Sequence, residues 1–345
     1  MISRNNIIVL FLITAITSSQ FYYSYKFSNP DYGNSDFYQY KEMVIKPFNA
    51  ESSRSPFIYR QFTTSIASFI YKTGIYYDTE ISFNTDNINQ RVYFALLTSN
   101  YIGLILCFLS IIHFLKRYIK KYSMVYYFFP IFLVVTSFGY LFSGLSVLTE
   151  GWTYFFNTII FILLIERKIF WIFIFLILSL FNKEITSIVI SVLSFSILVH
   201  ELISKRFDVF SFKVLLASVS CFIVYMIIRL FLLPIEGGTN QTDINQILNN
   251  INSFSFNLEF IKQSVISLTA TIILIFFILV NNRFSDILND KINFSIFLTI
   301  ILLFIIGIIS GIGNNIGRII SSLTPIIILT CLKYFDKVYE ENLPI

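Results

Sequence analysis

Eight ionisable residues stand against the apolar runs of this 345-residue chain, where charge is hardest to hold: Asp31, Asp36, Arg60, Glu150, Lys183, Glu184, Arg229 and Arg318. Such a group at membrane depth is costly and usually faces a cavity, a partner or a pathway. Asp31 and Asp36 follow the first apolar run, and Arg60 comes later in the same polar stretch. Glu150 and the Lys183-Glu184 pair sit at junctions between runs, Arg229 lies inside the end of one, and Arg318 begins another. Threaded through a bilayer, all eight reach roughly one depth on one side, so packed helices can gather them around an outward crevice. Their chemistry suits a lipid phosphate. Arginine clamps phosphate oxygens with charge-assisted, often bidentate hydrogen bonds. A carboxylate takes the proton from an attacking hydroxyl and steadies the positive charge of an oxocarbenium-like sugar centre.

Each residue also has a plain structural reading. Asp31 and Asp36 lie among Pro, Gly, Asn and Ser, where aspartates shape turns. Arg60 suits snorkelling to anionic headgroups. Glu150, Lys183 and Glu184 suit ordinary helix boundaries, and Arg229 and Arg318 suit structural pairing with a carboxylate. Gly307, Gly311, Gly313 and Gly317 fall close to four-residue spacing, which favours close helix packing over a phosphate loop. Pro325 is placed to kink the last apolar run.

The elements that must position these groups follow from composition. The chain is 56% hydrophobic and 13% charged, with mean hydropathy +0.73; a soluble surface needs about a quarter of its residues charged. Apolar runs fall at about 6–25, 92–115, 124–148, 151–165, 169–182, 185–201, 210–233, 264–281, 294–312 and 319–333. Several approach the roughly 20 residues that cross a hydrocarbon core, and the two runs at 151–165 and 169–182 are short for it. The expected fold is an all-α polytopic membrane protein with about ten transmembrane helices in a single integral membrane domain over 1–345. The first run reads as a retained helix, with Tyr22, Tyr23 and Tyr25 as an interfacial aromatic belt.

Lys and Arg orient these spans. Arg4, the Lys116–Lys121 cluster, Arg167, Lys168, Lys205, Arg206, Lys213, Arg283, Lys291, Lys333 and Lys337 fall on one side, which is therefore expected to be cytoplasmic along with both termini. Loops at 26–91 and 234–263 then face outward. Ser55 and Pro56 form a helix start and Gly74 a stop, which predicts an amphipathic helix in the long first outer loop. Ile58, Phe62, Ile66, Phe69 and Ile70 mark its apolar face, Arg60, Thr63, Thr64 and Tyr71 its polar face, and the helix is expected to lie along the outer membrane surface. Scattered between spans, the basic residues form no nucleic-acid footprint despite a net charge of +5. Cys107, Cys221 and Cys331 lie far apart inside apolar runs, and His113 and His200 are the only histidines, so no Cys/His metal cluster is expected.

At four places the chain resembles the GT-C superfamily of membrane glycosyltransferases, in particular GT-C-like proteins of bacterial surface-polysaccharide gene clusters. Asp36-Phe-Tyr-Gln-Tyr is similar to the acidic, aromatic start of the family's first outer loop. Ser55-Pro-Phe-Ile-Tyr-Arg-Gln-Phe resembles a Pro-aromatic-x-Tyr-Arg motif, and Asn182-Lys-Glu-Ile-Thr a polar turn before an apolar span. Gly317-Arg-Ile-Ile-Ser-Ser-Leu-Thr-Pro resembles the late Arg-then-Pro span. The motifs are short and spread over about residues 1–335.

The resemblance implies transfer of a sugar from a polyprenyl-phosphate-linked donor to a glycan or lipid-linked acceptor, on the outer face of a bacterial inner membrane. It puts the catalytic acid on Asp36, with Asp31 as the alternative, and substrate contacts on Arg60, Glu150, Lys183, Glu184, Arg229 and Arg318. A divalent metal stays open as cofactor, but Phe37 beside Asp36 and Asn314-Asn315 near Arg318 stand where the family often has further acids. Two other readings use the same residues: a surface-polysaccharide polymerase, and a flippase or transporter for lipid-linked sugars. A structural membrane subunit is the third.

Overall fold

The computed structural model describes residues 4–27, 36–49, 57–81, 87–118, 149–232, 269–280, 288–309 and 316–337, with single residues between. Among them the ordered elements are helical: α1 (Arg4–Phe27), α2 (Asp36–Ile45), α3 (Gln61–Thr73), α4 (Asn87–Tyr118), α5 (Glu150–Ile165), α6 (Ile169–Leu180), α7 (Ile185–Ile203), α8 (Val209–Ile227), α9 (Thr269–Val280), α10 (Lys291–Ile309), α11 (Ile316–Ser321) and α12 (Thr324–Lys337). Among the described residues four stretches are long and apolar enough to cross a membrane: Asn87–Phe114, Ile185–Ile203, Val209–Ile227 and Lys291–Ile309. α5, α6 and the Thr271–Val280 part of α9 are apolar but shorter. The expected spans at 151–165, 169–182 and 185–201 therefore meet helices within a few residues, whereas the one at 124–148, the loop at 234–263 and Asp31 lie outside the described residues or almost wholly so. Large apolar side chains such as Trp171 of α6, Ile223 of α8 and Phe276 of α9 stay exposed, as in a protein wetted by lipid.

The first outer segment differs from expectation in two respects. Its helix begins at Gln61, after a short 3₁₀ turn over Phe57–Tyr59, rather than at Ser55 and Pro56. Gly74 does end it, at φ 75° with its N–H donating to Tyr71 O, a conformation in which a Cβ would be strained. Second, α3 does not offer its hydroxyl face to water. Thr63, Thr64, Ala67 and Ser68 are buried, and Phe69 is 74% exposed. Small side chains let α3 approach α4 closely, and the polar groups are satisfied inside: Ser99 Oγ donates to Thr63 O at 2.9 Å.

α2 and α3 thereby form a cap on α1 and α4, sealed by Tyr25, Phe37, Tyr40, Met43, Ala67, Tyr93 and Leu97. Tyr25 is consequently core and not interface; it stacks on Tyr93 at 6.0 Å, while Tyr22 and Tyr23 remain exposed.

Charge collects at the two ends of the bundle. At the basic end, Glu166 pairs with Arg117 and Lys168, Arg167 forks onto Asp208 at 2.6 and 2.9 Å, and Lys291 reaches Glu201 at 2.6 Å. These contacts tie the ends of α4, α5, α7, α8 and α10 together. Glu150, Lys183 and Glu184 belong to the opposite ends of α5, α6 and α7.

Candidate functional site

The site is built where four helix ends meet. Asn100 of α4 stands in for a missing cap on α5: its Oδ1 accepts the Gly151 N–H at 2.6 Å, a first-turn donor with no partner in its own helix. The approach is close enough that a Cβ on Gly151 would overlap the Asn100 backbone, and one on Gly103 would lie 2.7 Å from Trp152 N. Asn182, in the turn from α6 to α7, draws in the starts of α5 and α3. Its Nδ2 donates to Thr149 O at 3.0 Å and Thr153 Oγ1 at 3.1 Å, and Thr63 Oγ1 donates to its Oδ1 at 2.5 Å. Phe62 N–H, at the start of α3, donates to Phe181 O at 2.8 Å. One helix end thus satisfies the other.

This framework sets Arg60 against Glu184 and Lys183 against Glu150. Arg60 Nη2 lies 3.2 Å from Glu184 Oε1, with side chains 9% and 21% exposed, and Arg60 Nη1 donates to Tyr40 Oη at 3.1 Å. Lys183 Nζ lies 2.8 Å from Glu150 Oε1, both nearly buried. Burial works against the Glu184 charge, yet Arg60, its own backbone amide, Lys183 and Arg229 hold its carboxyl below the usual carboxylate range. Burial likewise opposes the Arg60 charge, and Tyr40 and Glu184 more than offset it.

α8 passes into one π-helical stretch over Ile228–Leu232, which carries Arg229. Such turns recur at functional sites. Tyr59 Oη donates to Arg229 O at 3.3 Å, and Arg229 stands within electrostatic reach of Glu184 and Tyr225. Beside this cluster opens an apolar groove of about 620 Å³ between the Phe57–Tyr59 turn, α6 and α8. Ile58, Phe173, Ile177, Leu180, Val224 and Ile228 line it. The volume falls in the range of small-molecule sites, roughly 300–1,000 Å³.

Of the eight residues singled out in the sequence, Arg60, Glu150, Lys183, Glu184 and Arg229 come together. Asp36 opens α2, one helical turn before Tyr40, the tyrosine on Arg60. Arg318 lies on α11, whose end is held to α5 by Ser321 Oγ with Tyr154 Oη at 3.4 Å and by Asn157 Nδ2 donating to Ser322 O at 2.8 Å. Among the described residues no three His, Cys, Asp or Glu side chains converge to hold a metal. Glu150 and Glu184 face cations instead. Sequence reasoning missed Tyr225 and Asn100, and held Tyr40 and Tyr59 only as members of motifs, with no role of their own. In a chain with 21 tyrosines none stands out by type, and the usable signal was position: Tyr40 lies one turn from Asp36, and Tyr225 one turn from Arg229.

Chemically, the arrangement pairs an apolar trough with guanidinium groups and carboxylates at its end, a fit for an amphiphile with an anionic head. Compared with known protein families, curated proteins and solved structures, the chain matches none of them.

Proposed function

We propose that this chain is a GT-C-like membrane glycosyltransferase that moves a sugar from a polyprenyl-phosphate-linked donor to a glycan or lipid-linked acceptor on the extracytoplasmic face. The observation that carries this reading is the charged cluster of Arg60, Glu184, Lys183, Glu150 and Arg229 at the edge of the apolar groove. The prenyl chain lies in the groove. Arg60 and Arg229 bind the phosphate, with Arg318 as a further contact. Asp36 acts as base, with Asp31 next in line. The acceptor oxygen attacks the anomeric carbon and its proton passes to Asp36. The bond from that carbon to the phosphate oxygen breaks, and polyprenyl phosphate leaves with the electron pair. The chain makes about ten spans in a bacterial inner membrane, with both termini cytoplasmic and 26–91 outside, a topology motivated by the Lys/Arg asymmetry.

The test is sugar transfer by the purified full chain in nanodiscs, from a defined polyprenyl-phosphate sugar. Asp36→Asn keeps the shape and loses the base, so turnover is expected to fall by about 10²–10⁴-fold with donor binding intact. Near-wild-type transfer by this variant removes Asp36 from the mechanism. No transfer by wild type, together with movement of the lipid-linked sugar across liposomes, overturns the transferase in favour of a flippase.

A further inference from the structure

Tyr225 occupies the boundary between the groove and the charged cluster, and the proposed mechanism gives it no role. On α8 it follows Cys221 by four residues and precedes Ile228 by three, so the three share the face that lines the groove. Its ring is 6% exposed and is met edge-on by Tyr59, with ring centroids 6.1 Å apart and planes at 80°. Its hydroxyl has no hydrogen-bond partner among the described residues. Glu184, Arg60 and Arg229 all lie within electrostatic reach of it.

A buried hydroxyl left unsatisfied destabilises a fold, and phenylalanine would pack the same ring without that penalty. A tyrosine whose hydroxyl meets no acceptor among the described residues, beside two arginines at the end of an apolar trough, is suited to a ligand that brings the acceptor with it. We propose that the Tyr225 hydroxyl donates a hydrogen bond to a phosphate oxygen of a polyprenyl phosphate whose chain fills the groove, and so fixes the head of the lipid at the Arg60–Glu184 pair. This rests on the lipid-phosphate part of the reading above and not on sugar transfer. The wall of the trough is apolar, with Phe173, Ile177, Leu180, Val224 and Ile228 on it, and suits the hydrocarbon chain of such a lipid.

The experiment compares wild type and Tyr225→Phe, as the full chain in detergent, with three probes: a polyprenyl phosphate, the corresponding prenol, and phosphatidylglycerol. Ligand-free melting temperature is read first. Because the hydroxyl bonds nothing among the described residues, Tyr225→Phe should melt at the wild-type temperature or above. Its dissociation constant for polyprenyl phosphate should rise about tenfold, the loss of one hydrogen bond to a charged group, while prenol binding stays unchanged. Cys221→Trp, which fills the groove one turn deeper, should weaken phosphate and prenol alike. Equal affinity of wild type and Tyr225→Phe for polyprenyl phosphate overturns the proposal, as does a lower ligand-free melting temperature with parallel losses for all probes. Tyr225-dependent binding of phosphatidylglycerol as tight as that of the polyprenyl phosphate overturns the choice of lipid. Retained Tyr225-dependent binding without sugar transfer sinks the transferase alone, and transfer without Tyr225-dependent binding sinks this assignment alone.

Discussion

Arg60 and Glu184 show what a nearly buried ion pair does to a fold. Removing one partner strands the other charge in a site that has expelled most of its water, which typically costs about 3–5 kcal/mol. Arg60→Ala and Glu184→Ala should each lose about that much, and Arg60→Met combined with Glu184→Leu should recover most of it, read as thermal unfolding of the four proteins in one detergent. A double variant less stable than either single would show that the two side chains are not held by each other. The pair also fixes an acid limit. The Glu184 carboxyl is held low in the folded chain, so its contribution is fully present above the unfolded value of about 4.3 and is lost as pH falls through the lower folded value. Wild type should lose stability below about pH 4, and Glu184→Gln should lack that part of the acid limb. These residues were legible in the sequence because charge beside an apolar run is rare. Tyr225 was not, because a tyrosine is unremarkable there until its hydroxyl is seen to have no partner among the described residues.

At the level of elements, the crossing of α4 and α5 carries the site. Glu150 points where it does because Gly151 lets Asn100 take the first-turn amide. Gly151→Ala forces a Cβ into that contact and should destabilise the chain by roughly 1–3 kcal/mol. In the same variant positions 150 and 183 should move apart, which a crosslink between cysteines placed at 150 and 183 in a background lacking the native three would report as lower yield than with Gly151 intact. An unchanged melting temperature would mean that α4 and α5 separate freely. The apolar runs located α5, α6 and α7 well, since length and hydropathy depend on local composition. The beginning and facing of α3 were not readable that way. Its hydroxyls look solvent-bound in sequence, and only the positions of Ser99 and Asn182, 36 and 119 residues from Thr63, explain why they turn inward.

At the scale of the whole molecule, the described charges of α5, α7 and α8 gather towards opposite ends of these helices, whose outer surfaces are apolar. If the end bearing Arg117, Arg167 and Lys291 is cytoplasmic, single cysteines at Ser52 and Ser123, in a background lacking the native three, will label oppositely with an impermeant thiol reagent. Labelling of position 123 from outside intact cells would invert the proposed topology. The charged cluster at the other end has a further consequence. Arg60 and Lys183 carry two positive charges, and Glu150 and Glu184 two negative ones, so these four cancel. On the proposed reading their carboxylates are placeholders for a lipid phosphate. A phosphate gains Arg60 only by evicting Glu184, and a bare anion has little with which to compete for that exchange. The proposed lipid brings the burial of its chain as well, so the internal pairs would act as a filter that admits anions only when they arrive attached to something greasy. Glu184→Gln should breach the filter and let inorganic phosphate compete with polyprenyl phosphate at concentrations where wild type ignores it.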